Sequence, residues 1–122
     1  MTIEIPGVDA HKGLAICDGD QNMYIKFLRL YVSNLPKILE KIRIVSEETL
    51  HDYLINVHGI KGISETIGAE ETRSTARQLE AIARNGDLAG LLAQNDPFIK
   101  SVENLVNCIQ IWLEKNDTFP GK

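Results

Sequence analysis

Cysteine is scarce in this chain: Cys17 and Cys108 are the two in 122 residues, and neither belongs to a CxxC pair or a Cys/His cluster. That spacing excludes a disulfide framework or a zinc-finger-like site, and both are read as reduced, partly buried thiols. Long apolar runs are also missing. LVNCIQIWL, the most apolar late segment, is interrupted by Asn107 and Gln110, and the N-terminal MTIEIPGVDA has no basic stretch leading into an apolar one. Neither a signal peptide nor a membrane span is expected, and the expected location is cytoplasmic. Basic residues are outnumbered: 13 Lys and Arg against 17 Asp and Glu give a net charge of −4, which opposes attraction to phosphate backbones and anionic lipid. Nucleic acid is therefore not an expected partner. A glycine-rich phosphate loop of the Walker or dinucleotide type is absent, so the chain is not expected to phosphorylate itself from ATP. Internal repeats, low-complexity tracts and strand-like alternation are lacking as well.

What is present is helical periodicity. With 122 residues, 43% of them apolar, the chain is long enough for one domain with a single core. Asp9 can cap a short helix ending near the Asp18-Gly19-Asp20 turn signal. From about 21 to 45, Tyr24, Phe27, Leu28, Tyr31, Leu35, Ile38, Ile42 and Val45 recur at three-and-four spacing, with a kink or break expected at Pro36. Ser46, followed by Glu47 and Glu48, reads as the start of a helix to about 65 with a stripe of Leu50, Tyr53, Leu54, Val57 and Ile60. A helix over about 69–85 carries Thr72, Ala76 and Leu79 and ends at Asn85-Gly86, and Asp96-Pro97 reads as the start of a last helix to about 115. The expected fold is all-α: an antiparallel four-helix bundle with an additional short N-terminal helix, one domain over 1–122.

One stretch conflicts with its own helix. HGIKGISETIG, residues 58–68, puts Gly59 and Gly62 beside His58, although each glycine weakens a helix interior by roughly 1 kcal/mol. On a helical projection His58 lies roughly 100° from the centre of the core stripe, on an exposed flank. Gly62, one turn later, leaves a bare patch beside it, and Lys61 adds a cation on the core side. An exposed neutral imidazole is a nucleophile able to reach a phosphoryl group held in another protein, with room at Gly62 and compensating charge at Lys61. His11 and His51 lack such a set and are read as solvated residues. The carboxylate pairs Glu47-Glu48 and Glu70-Glu71 are read as compensating helix dipoles, not as acid/base pairs.

The pattern H-x-x-K-G with glycine at the tenth position, in His58, Lys61, Gly62 and Gly68, resembles the signature of the histidine-containing phosphotransfer (HPt) family. GVDAHKGLAICDGDQNMYIKFLRLYVSNLPKILEKI is similar to that family's lead-in and ARQLEAIARNGD to its third bundle helix, so the likeness spans roughly 5–114. The resemblance implies that His58 is the phosphoacceptor, that Lys61 stabilises the phosphoryl group, that Gly62 gives access and that Gly68 ends the helix. It also places Glu80, 22 residues after His58, where a polar side chain can hold the acceptor ring. The implied function is a phosphorelay intermediate, not a self-contained enzyme. Implied partners are response-regulator receiver domains and a hybrid sensor histidine kinase; Mg²⁺ would sit on the receiver, with no cofactor or metal on this chain, which is expected to be a monomer. Ile63, where the family usually has a small residue, and Glu65 depart from the pattern and bear on docking, Ile63 together with Ile55 as a possible apolar surface. Two other readings stand beside the relay: a non-phosphorylated bundle adaptor, and the phosphoacceptor domain of a chemotaxis-type histidine kinase, against which nothing after Lys115 reads as a linker to a catalytic domain.

Overall fold

The computed structural model describes residues 3–116, so the first two and last six positions of the expected 1–122 domain lie outside it. Among the described residues five helices follow one another: α1 Ala10–Ile16, α2 Gln21–Lys41, α3 Leu50–Ile67, α4 Glu70–Arg84 and α5 Leu88–Lys115. Helices α2 to α5 form a closed ring in which α2 packs on α3, α3 on α4, α4 on α5 and α5 back on α2. The most extensive of these contacts joins α3 to α4. Cross-helix pairs run in opposite sequence directions, Tyr24 to Ile67 and Tyr31 to Ser64, as antiparallel neighbours must. No helix among the described residues is long and apolar enough to cross a membrane.

The apolar stripes read from the sequence meet inside this ring. Leu28, Leu35, Ile42, Val57, Ile60, Ala76, Leu79, Val102 and Ile109 are all fully enclosed, joined by Ile25, Leu39 and Ile99 from positions outside those stripes. Buried polar groups act as struts. Tyr31 bonds Ser64 Oγ at 2.9 Å, and burial pushes its phenol up to about 12 although that hydrogen bond pulls the other way. Tyr53 donates to Asn95 Oδ1 at 2.9 Å while Asn95 Nδ2 donates to the carbonyl of Ile42 at 2.7 Å, so one buried amide joins α2, α3 and α5.

Helix boundaries correct the sequence reading in three places. Helix α2 is unbroken through Pro36 and ends at Lys41, not near 45. Pro36 is exposed, so the carbonyl it orphans can meet water, while buried Leu35 and Leu39 keep both halves on the core. Ser46 caps a turn instead of a helix: Thr49 N–H bonds back to Ser46, and α3 starts at Leu50 and runs on to Ile67. Asp96-Pro97 does not start α5, which begins at Leu88, where Asp87 accepts from Gly90 N–H at 2.9 Å. Buried Leu91 and Asn95 anchor that first stretch, and exposed Pro97 is tolerated within the helix.

The ends of α1 and α3 are fixed as the turn signals indicate. Asp9 accepts from Lys12 N–H, and its own N–H donates to the carbonyl of Gly68 at 2.8 Å. Gly68 closes α3 in the left-handed conformation, with φ of 82°. A Cβ there would strike the carbonyl of Asp9, so α1 can dock on the end of α3 only over a glycine.

Candidate functional site

Val57 and Ile60 are fully buried and fix the roll of α3, which turns the intervening His58 outward with its side chain 63% exposed. Across the interface, Glu80 stands on α4 directly after buried Leu79, and its carboxylate is only 2% exposed. The two meet: His58 Nδ1 lies 2.5 Å from Glu80 Oε2. The other carboxylate oxygen, Oε1, accepts from Lys61 Nζ at 2.6 Å, and Arg84 Nη2 donates to Oε2 at 3.2 Å. A buried carboxylate thus has three donors, two of them cations.

Charge explains why a carboxylate is tolerated there. Burial pushes the Glu80 carboxyl up, but the hydrogen bonds from Lys61 and His58, with the charges of Lys61 and Arg84, outweigh it and hold the group below its ordinary value. Glu80 is therefore ionised at neutral pH and has no proton to give, so His58 Nδ1 must be the donor. In the neutral ring the lone pair then sits on Nε2. The ring's orientation and tautomer follow from one contact.

The surroundings of His58 are bare. A Cβ added at Gly62 or at Gly59 would meet nothing within 4 Å, whereas one at Gly13 would collide with the ring of Tyr24. Packing within the bundle explains Gly13 and Gly68 and leaves Gly59 and Gly62 unexplained. Ile55, one turn before His58, is 56% exposed. Ile63 points away from it into an apolar groove between α2 and α3, lined also by Phe27, Leu30, Tyr31 and Ile67. Glu65 is exposed.

The structure brings His58, Lys61 and Glu80 into one hydrogen-bonded cluster, with Gly62 beside it on the same helix. His11 and His51 are exposed and stand outside it. Arg84 escapes the sequence reading; its i, i+4 spacing from Glu80 is the signal that finds it. Among the described residues, no three His, Cys, Asp or Glu side chains are grouped to hold a metal ion.

A family model described as Hpt domain matches residues 26–112, from the first turns of α2 almost to the end of α5, and takes in the whole cluster. No curated protein and no solved structure matches the chain.

Proposed function

The chain belongs to the Hpt domain family, whose members are histidine phosphotransfer modules of phosphorelays, and we propose that it takes a phosphoryl group on His58 from one receiver domain and passes it to another. The observation that carries this reading is the buried Glu80 carboxylate on His58 Nδ1, which leaves Nε2 as the nucleophile on an exposed face that Gly62 keeps clear. In the transfer, the Nε2 lone pair attacks the phosphorus of an aspartyl phosphate on the receiver. The N–P bond forms as the bond from phosphorus to the acyl oxygen breaks, and the aspartate leaves as a carboxylate. Nδ1 keeps its proton throughout, so the positive charge that develops on the ring lies against Glu80. Lys61, a quarter exposed, is placed to answer the negative charge of the incoming group.

The acidic pocket and its Mg²⁺ belong to the receiver in this reading, and in-line geometry is completed only in the complex. Donation to the second receiver runs the same steps in reverse. Ile55, exposed one turn before His58, supplies apolar surface for docking on this side of the molecule, while Ile63 is turned away from it.

Incubation with a phosphorylated receiver and Mg²⁺ tests the reading. Acid-labile, alkali-stable label is expected on the unaltered protein and on His51→Gln, and none on His58→Gln. If a receiver that demonstrably binds leaves the unaltered protein unlabelled, the relay reading falls and an adaptor that docks without carrying phosphate takes its place.

A further inference from the structure

The two oxygens of Glu80 are shared unequally. Oε1 serves Lys61 alone, while Oε2 serves His58 and Arg84. If His58 carries a phosphoryl group, Lys61 has two acceptors to serve, because the group brings about two negative charges within its reach. An ammonium has three rotatable donors on a flexible stem and can turn from one acceptor to another. That turn takes the cation on Oε1 from a side chain that is 2% exposed and leaves the carboxylate only the charge that develops on the ring, and a buried charge short of compensation is destabilising. Arg84 removes the obstacle. Its guanidinium is always charged, its side chain is 61% exposed, and it binds the oxygen that Lys61 does not use.

Resting on the phosphorelay reading, we propose that Arg84 is a positioning residue that holds Glu80 ionised and aimed at His58 Nδ1 while Lys61 turns from Glu80 Oε1 to the phosphoryl oxygens on Nε2. The bond made is N–P and the bond broken is the receiver's acyl O–P. Neither Lys61 nor Nδ1 gives up a proton.

The test uses the whole chain, a phosphorylated receiver and Mg²⁺, with Arg84→Met to remove the charge and Arg84→Lys to restore it. Single-turnover transfer to Arg84→Met is expected to be slower by about tenfold, the effect of one lost charge-assisted hydrogen bond, with Arg84→Lys recovering most of the rate. The ¹⁵N signal of the Lys61 ammonium is the readout that a merely structural role would not move. On phosphorylation it is expected to shift in the unaltered protein and to stay near its starting position in Arg84→Met. An Arg84→Met rate within about twofold of the unaltered protein, no recovery in Arg84→Lys, or an equal Lys61 shift in both proteins overturns the proposal. Absence of label on the unaltered protein instead overturns the relay reading on which it rests.

Discussion

His58 on α3 and Glu80 on α4 are 22 residues apart in sequence and 2.5 Å apart in space, and the carboxylate that accepts from the ring is almost wholly buried while the ring itself is mostly exposed. The acid is fixed by the core, and the base is presented to solvent. Replacing Glu80 by Gln leaves a neutral amide that can donate or accept, so the Nδ1–H tautomer loses its exclusive preference. Transfer to Glu80→Gln is expected to slow by roughly tenfold or more, on the scale of a hydrogen bond to a charged group. ¹⁵N spectra of the ring should show mixed tautomers in the variant and a single one in the unaltered protein.

Gly62 should separate stability from function. Its absent Cβ would meet open space, so Gly62→Ala gains helix propensity and is expected to stabilise the fold by about 0.5–1 kcal/mol. On the proposed relay, the added methyl stands one turn from His58 where the phosphoryl group would enter, so transfer should fall as stability rises. Urea midpoints and transfer rates measured on the same samples check both signs, and unchanged transfer would remove the access role.

Gly68 should respond in the opposite sense. Its φ of 82° and the closeness of the Asp9 carbonyl mean that Gly68→Ala is strained in backbone and in packing at once. A loss of about 2 kcal/mol or more is expected by chemical denaturation, with α1 released from the end of α3. Amide exchange should show protection falling first at Asp9, whose N–H donates to the Gly68 carbonyl.

Acid should weaken the bundle through Glu80. Its carboxyl is held below the ordinary value of 4.5, so the folded state binds that proton less readily than the unfolded chain. The resulting stabilisation is fully present above the ordinary carboxylate value and is lost as pH falls through the lower, folded one. Unfolding free energies measured from neutral pH down into the acid range are expected to decline more steeply for the unaltered protein than for Glu80→Gln, which has no proton to bind.

Much of this was legible in the sequence. Tyr24, Leu28, Tyr31 and Leu35 mark the buried face of α2 by spacing alone, and His58, Lys61 and Gly62 stand out because two glycines inside a helix need a reason. Glu80 was reached through family resemblance, since no local pattern says that a residue 22 positions on will touch a histidine. The start of α5 was hidden because Asp96-Pro97 reads as a helix start, and the burial that carries the helix back to Leu88, at Leu91 and Asn95, depends on contacts with other helices. Ser46 misled for a local reason: its hydroxyl is an equally good partner for a turn, and the turn won.

Helices that meet only through apolar ridges have shallow preferences along their axes, because a neighbouring groove offers a similar fit. The Asn95 amide does not permit that latitude. Its two bonds index α5 against Tyr53 on one side and Ile42 on the other, and a slip of one residue in any of the three helices breaks at least one of them. Tyr53 and His58 ride on the same rigid helix, five residues or roughly 7.5 Å apart along its axis. The elevation of the histidine on the bundle is thereby gauged from below, by a side chain that lies outside its own cluster.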